Sequence, residues 1–581
     1  LAQPKIQLLK LFEYKMKNWK FFLFCILFPF SPFAEVKHTP FVKHDIPLKT
    51  PPETALPLFK GLILVGKTSD LNPEGYQQVR GVMTYHVELP GNIVSLKKSL
   101  RIYLNDPLNA ETITAIKKRV IQFYQNNNRP VVSVTVPQQD ISEGALQLVI
   151  TEGKLGKVYT SGNQWFKSEK LEEAIQLQSG ESIASDILNQ NLYWLNRNPF
   201  RHIDAIYTPG SEEGTTNIEL LTTDRFPLRV YGGIDNTGND VTGNNRLFAG
   251  LNWGNVFGTD QRLSYQFATS SDFTRFRSHT LYYEIPIPHW QHLLNIYGGY
   301  SHVDADFVVP NIEGVKFRTH GFSLQASLRY AIPLRPHKNF LHELITGCDF
   351  KRTNNNLDLG GLPVISEDNV NLTQAMLGYN LGYEISPLTL SFEIEGFYSP
   401  GRWIADQTDA DYQSLRPFAK NTYVYARIAT TFIWRYYKEW AMHHYFRGQL
   451  ASINLLPSEE YGVGGYNNVR GYKERIVNGD NVFIWNFEMR TPTFHILKYL
   501  IGKKKFKDEL QFLAFFDYGL AGVKQTVPDQ SKTTYLASIG PGIRYNVVPY
   551  LTFRADWGFQ LHYLDLGGPH QHLHFALILG Y

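Results

Sequence analysis

Three histidines at alternate positions, His570, His572 and His574, have a spacing compatible with metal ligation in this 581-residue chain. In an extended segment they share one face. No carboxylate or cysteine joins them at ligand spacing, so a polar wall is expected there and no metal. Carboxylates recur instead within alternating segments. Over 511–519, Phe512, Ala514, Phe516 and Tyr518 take one side, leaving Gln511, Asp517 and Gly519 on the other. Over 482–490, Asn486, Glu488 and Arg490 share a face. No Gly-x-Ser-x-Gly elbow, His-Glu-x-x-His pair or phosphate loop ending Gly-Lys-Ser/Thr occurs. Hydrolytic and nucleotide chemistry have no motif to rest on, and no cofactor is expected.

The elements that must carry these side chains change character along the chain. After Arg225 the period is two and stays so to the end. Leu551, Phe553, Ala555, Trp557, Phe559 and Leu561 face one way, while Thr552, Arg554, Asp556, Gly558 and Gln560 face the other. The pattern recurs over 262–268. About sixteen such segments fill 225–581, the spacing of a mid-sized membrane barrel with apolar side chains toward lipid and polar ones toward the lumen. On that reading Asp517 faces inward, because a carboxylate in hydrocarbon is expensive. Aromatic residues reach 14% while mean hydropathy is −0.26, and no apolar run is long enough for a spanning helix. Short links such as Ser386-Pro387 and Val548-Pro549 alternate with longer polar ones such as 351–370 and 401–420, as inner turns and outer loops do. The link over 492–509, with Lys503, Lys504 and Lys505, is longer than its side of the barrel predicts. The last strand carries Leu573, Phe575, Leu577, Leu579 and Tyr581 on one face, so Phe575 and Tyr581 are expected to help seal it against the first. A net charge of +4 gives no case for nucleic acid.

Upstream, Lys15, Lys17 and Lys20 precede an apolar run from Phe21 to Phe30 ending in Ser31-Pro32-Phe33-Ala34, the order of a secretory signal. Met16 is the expected start, and 1–34 reads as an upstream extension plus signal. Cys25 leaves with it. Cys348 alone remains, so neither an internal disulfide nor a Cys-based metal site is expected. Residues 35–57 read as a Pro-rich linker. Residues 58–152 and 153–224 each read as a strand, two helices and two strands, an internal duplication. In the first unit, 111–125 sets Ile113, Ile116, Val120 and Tyr124 on one helical face, and 131–136 and 146–151 alternate as a strand pair. Residues 67–95 fit no part of this outline and read as an insertion. In the second, Ile183, Ile187, Leu188 and Leu192 form the stripe of a helix over 182–196, with strands over 202–207 and 216–221 after it. The fold class is α+β domains followed by a transmembrane antiparallel β-barrel of about sixteen strands.

Three stretches resemble the two-partner secretion transporters of the haemolysin-activator type, the ShlB/FhaC/HecB (TpsB) family. Leu195-Asn196-Arg197-Asn198-Pro199-Phe200-Arg201 is similar to the segment leaving the second POTRA helix of that family. Tyr231-Gly232-Gly233-Ile234-Asp235-Asn236-Thr237-Gly238, with Gly254-Asn255-Val256-Phe257-Gly258, is similar to its opening barrel hairpin. Val469-Arg470-Gly471-Tyr472 is similar to the tip of its long sixth outer loop, and lies between the eleventh and twelfth segments. The resemblance covers nearly the whole chain after the signal. It implies two POTRA domains in the periplasm and a barrel in the outer membrane of a Gram-negative-type cell. It implies export of a secreted, repeat-rich (TpsA-like) exoprotein without nucleotide, driven by folding of that client outside. It also implies that an inner-wall Asp in a Phe-Asp-x-Gly setting holds the loop, which Phe516-Asp517-Tyr518-Gly519 matches. Arg470 is therefore expected to pair with Asp517, with Glu488 as the alternative partner.

The POTRA strands carrying Val132, Val134 and Val136, and Ile203 and Ala205, are expected to capture the client by strand addition, the alternative being ordinary internal strands. A charged side chain at Val134 is then expected to weaken client binding. Outer-membrane lipid is a further partner, as are periplasmic chaperones and the barrel-assembly machinery during biogenesis. In one respect the chain departs from the resemblance: some members carry an amphipathic plug helix ahead of the first POTRA domain, and 35–58 is too rich in proline to show one. A BamA-type insertase is the second reading, sharing the plan and the Arg-Gly loop but usually carrying more POTRA repeats. An outer-membrane barrel enzyme, with a site assembled from scattered residues, is third, and a passive nutrient porin fourth.

Overall fold

The computed structural model describes residues 56–212, 214–308, 316–336, 339–354, 356–359, 362–365, 369–497, 507–564 and 569–581. The signal over 1–34 with Met16 and Cys25, the linker up to residue 55, and the Lys503–Lys505 run lie outside these residues.

The first domain comprises β1 (Gly61–Val65), β2 (Gly81–Tyr85), α1 (Ile93–Leu100), α2 (Ala110–Asn126), β3 (Val132–Thr135) and β4 (Ala145–Glu152). Asn92 and Asn109 start the two helices, their side chains accepting from the backbone N–H groups of Val94 and Thr112 at 2.8 Å. Helix α2 lays Ile116, Val120, Phe123 and Tyr124 on Leu62, Leu64, Leu146, Leu148 and Ile150 of the sheet. The sheet runs β2-β1-β4-β3, with β1 parallel to β2 and β4, and β3 antiparallel to β4. Alternation was expected for 146–151, but β4 is buried on both faces. Ala145 and Val149 pack with Ile63, Val65 and Val79 on the side away from the helices. The cause is the insertion over 67–95, which folds across that second face and contributes β2. Gln147, buried there, is satisfied by Asn72: its Nε2 donates to the Asn72 carbonyl at 2.7 Å and its Oε1 accepts from the Asn72 N–H at 3.0 Å.

The second unit repeats the order without the insertion: β5 (Lys154–Ser161), α3 (Ser168–Glu172), α4 (Ser185–Asn196), β6 (Arg201–Pro209) and β7 (Thr215–Asp224). β5 lies parallel to β7 and β6 takes the far edge, the same arrangement as β1, β4 and β3. Ile187, expected in the apolar stripe of α4, is exposed. The buried positions are Leu188, Asn191 and Leu195 at helical spacing, and the Asn191 side chain accepts from the Gln176 N–H at 2.9 Å. A buried asparagine hides the phase from any reading by hydrophobicity. β3 and β6 both lie at sheet edges. Within them, however, Val134 and Ile203 point into their domains, each about as buried as a residue can be. A charge at Val134 would therefore disrupt the core of the first domain.

The barrel wall begins with β8 (Leu228–Asp235), β9 (Arg246–Val256), β10 (Gln261–Ser270), β11 (Phe276–Ile287), β12 (His292–Val308), β13 (Lys316–Pro333) and β14 (Phe340–Thr353). A short hairpin, β15 (Asn356–Leu359) and β16 (Leu362–Ile365), extends one loop before β17 (Val370–Ile385), β18 (Leu388–Pro400), β19 (Thr422–Arg435) and β20 (Ala441–Ala451). A second hairpin, β21 (Tyr461–Val463) and β22 (Val477–Gly479), lies in the loop ahead of β23 (Asn481–Arg490). The wall ends with β24 (Lys507–Gly522), β25 (Thr533–Val548), β26 (Leu551–Gln560) and β27 (Gln571–Gly580). Sixteen strands pair antiparallel in chain order and close β27 on β8.

Closure uses both residues named for it. Tyr581 and Val230 exchange backbone hydrogen bonds at 2.9 and 3.2 Å, and Phe575 is bonded through both its N–H and its carbonyl to Asn236. Outward positions are apolar and exposed, as at Trp557, Leu561, Leu573 and Leu579, whereas Asp556 and His574 on the opposite face are fully buried. The link over 401–421 is more than a polar loop. It carries helix α5 (Asp409–Leu415), whose Tyr412 packs with Tyr423, Leu455 and Leu456.

The Leu195–Arg201 segment packs on the first short turn of the barrel. Arg201 grips Asp260 with two nitrogens at 2.8 and 3.0 Å, Arg197 reaches it at 2.7 Å, and Asn198 Nδ2 donates to Asp260 at 2.8 Å and to the Gly254 carbonyl at 2.6 Å. Gly254 is required because the Phe200 ring lies where a Cβ would stand. Burial alone would raise the Asp260 carboxyl, but Arg197 and Arg201 overcome it and hold it at about 2.

Two outcomes are expected. Leu148→Ala should destabilise the first domain by about 2–5 kcal/mol, the usual cost of a core truncation, read as faster amide exchange in β1, β3 and β4 with the barrel unchanged. Because the Asp260 value lies below the unfolded reference of about 3.9, its contribution is present at neutral pH and lost only as pH falls from near 4 toward 2. Protection of 195–201 should therefore persist at pH 4.5, and in Asp260→Asn it should be reduced already at pH 7.

Candidate functional site

The link between β20 and β23 turns back into the barrel and places Val469-Arg470-Gly471-Tyr472 against the inner wall, all four buried. Each side chain has its own seat. Val469 packs with Val463, Val482, Ile484, Ala521 and Leu536. The Tyr472 hydroxyl reaches the carbonyl of Ala537 at 2.9 Å. Gly471 has φ +87° and lies against Gly558, leaving no room for a Cβ on either residue. Its N–H donates to His574 Nε2 at 3.1 Å, and its carbonyl accepts from Gln560 Nε2 at 2.7 Å. His574 was read as part of a polar wall; it is the acceptor that fixes the loop tip.

Arg470 contacts both carboxylates named for it. Nε and Nη2 donate to the two Asp517 oxygens at 2.7 and 2.8 Å, a bidentate fork, and the Arg470 backbone N–H adds a third bond to Asp517 at 3.0 Å. Nη1 donates to Glu488 at 2.6 Å and lies 3.5 Å from Asp556. The guanidinium also sits 3.7 Å over the Phe515 ring, which faces inward from β24. Sequence reasoning missed Phe515 because lumen-facing positions were expected to be polar. The carboxylates carry further cations: Arg490 and Arg544 on Glu488, and Arg544 and Arg554 on Asp556. Asn486 Nδ2 donates to Asp517 at 2.8 Å, completing a closed network of β23, β24, β25 and β26 around the loop.

Two other buried carboxylates hold the legs of the same loop, and neither stands in a motif or periodic pattern that would have marked it. Glu459 accepts from Lys351 Nζ at 2.6 Å, from the Tyr425 hydroxyl at 2.7 Å and from Gln374 at 3.3 Å. Asp480 takes a bidentate pair from Arg416 at 2.6 and 3.0 Å and accepts from the N–H groups of Leu455 and Lys524. Their partners lie 108 and 64 residues away in sequence. His570 and His572 remain near the rim of β27, where His572 stacks on His574 edge to face.

Comparison with known proteins follows the same outline. The family model described as haemolysin secretion/activation protein ShlB/FhaC/HecB matches residues 214–545, and the ShlB-type POTRA domain matches 85–153. The outer membrane transporter CdiB of Dickeya dadantii is 26% identical over 68% of this chain and 69% of its own. The heme/hemopexin transporter protein HuxB of Haemophilus influenzae is 22% identical over 77% of each. The solved structure of CdiB from Escherichia coli superposes with a TM-score of 0.71 at 17% identity, covering 92% of this chain and 93% of that one. Both relatives are named as transporters, CdiB as one of the outer membrane. The chain belongs to the ShlB/FhaC/HecB family of haemolysin secretion/activation proteins, with its barrel in the outer membrane and its POTRA region in the periplasm.

Proposed function

We propose that this transporter recognises one secreted partner exoprotein through its POTRA strands and passes it, extended, through the barrel without nucleotide. The loop over 452–480 is the gate, and Arg470 on Asp517 is its anchor. The observation that carries this reading is the buried bidentate pair itself. Apolar packing is non-directional and does not by itself fix a register, so a fork of fixed geometry is what defines the loop's closed position. The client is taken to enter by strand addition at β3 or β6, whose edge positions leave main-chain groups for an extended partner. Ser133 and Thr135 project from β3 on the exposed side and would neighbour its side chains.

Export assays after gene deletion give the first test. Loss of one secreted protein supports the proposal, whereas loss of the whole outer-membrane protein complement would move the chain to the insertase reading. Arg470→Ala should free the loop, since stripping one partner from a buried pair costs about 3–5 kcal/mol. Larger and noisier conductance in planar bilayers and impaired export are expected. The Arg470→Ala/Asp517→Ala pair should be milder than the sum of the singles, because no orphan charge is left between them. Full export and unchanged conductance in all three would remove the anchor. For the receptor strand, Thr135→Cys in a Cys348→Ala background should cross-link to alternate residues of a client segment, the period of a paired strand. Cross-links without that period would exclude strand addition at β3.

A further inference from the structure

His302 and Asp304 on β12 and His320 on β13 bring three donor atoms within 4.8 Å of one another. The register explains the cluster. Asp304 stands directly opposite His320, and His302 opposite Phe322, so the two imidazoles meet on the diagonal with centroids 4.9 Å apart. His320 Nδ1 lies 3.7 Å from Asp304 Oδ2. All three side chains are on the outward face, the one that carries Ile296 and Tyr300 lower on β12 and Leu324 and Leu328 on β13. Just below them Tyr300 and Phe322 stack, the aromatic position expected where a barrel leaves hydrocarbon. The cluster is thus at the outer rim, wet enough to exchange an ion: His320 is 53% exposed and Asp304 31%.

We propose that His302, Asp304 and His320 form a binding site for a divalent transition cation of the zinc type on the outer rim of the barrel. Two imidazoles and one carboxylate are a donor set that zinc takes readily, with water in its fourth position, and that magnesium or calcium, which want oxygen ligands, do not. Donors around a tetrahedral zinc at about 2.0–2.1 Å stand roughly 3.4 Å apart, so only small side-chain rotations are needed on this exposed outer face. The ion would tie β12 to β13 within their paired stretch, below the loop that joins them and independently of the lumen network.

The test uses the full-length protein in detergent, stripped with chelator and dialysed against zinc, with cobalt as the spectroscopic probe. Wild type should retain a zinc that His302→Ala/His320→Ala lacks. Asp304→Asn should weaken binding, and His570→Ala/His572→Ala should leave it unchanged. The cobalt complex should show the intense visible bands of a four-coordinate ion, abolished in the double variant. Equal zinc content in wild type and His302→Ala/His320→Ala, or loss only on removing His570 and His572, would overturn the site. A heat-shift on gels confirms that each variant is a folded barrel.

Discussion

A membrane barrel turns its polar side chains inward, and each ionised group on that inner wall must find a counter-charge or water there. In this protein the constraint is met by filling the lumen with the chain's own loop. Arg470 reaches Asp517, Glu488 and Asp556 at once, and Arg490, Arg544 and Arg554 complete the set, so four guanidinium groups face three carboxylates. Such a network is a poor source of net stability, because desolvating each charge offsets most of its attraction. Its value is positional. A fork on Asp517, a ring beneath it from Phe515 and an imidazole at the next N–H leave the loop one register.

The anchors are distributed rather than single. Glu459 ties the incoming leg to β14, β17 and β19, and Asp480 ties the outgoing leg to the α5 connection through Arg416. The apolar cluster of Tyr412, Tyr423, Leu455 and Leu456 lies beside them. The loop is therefore fixed at its legs and at its tip by separate sets of groups. Motion of the tip does not require release of the legs, as the proposed gating would need.

What the sequence revealed follows from which constraints are periodic. Lipid imposes a continuous apolar face, so strands from 225 onward were legible by alternation alone, and with them the inward phase of Asp517 and Glu488. The lumen imposes no such rule. Leu513 and Phe515 are apolar yet inward, and both were invisible to a reading that equated inside with polar. Glu459 and Asp480 carry no periodic signal, because their partners are remote in the chain. In the first POTRA domain an insertion covered the second sheet face and erased the alternation expected of β4. In the second, Asn191 on the buried face of α4 shifted the apparent stripe to Ile187. The recognised motifs fared differently: they hold close approaches to a glycine, by the Phe200 ring at Gly254 and by the Gly558 backbone at Gly471.

The same network bears on how a firmly held loop can leave. Two unit charges 4 Å apart attract by about 4 kcal/mol at an effective dielectric of 20, and by about 1 kcal/mol in bulk water. The Arg470 anchor is thus strong only while Val469, Tyr472 and Phe515 keep water away from it. On the proposed export route, a client segment that displaced part of that cover would admit solvent, lower the attraction several-fold and hydrate each freed carboxylate. Wetting weakens the anchor, and a weaker anchor admits more water, so in the proposed gate release would be cooperative. A polar anchor gives this behaviour, whereas apolar packing of equal strength would resist entry of water throughout.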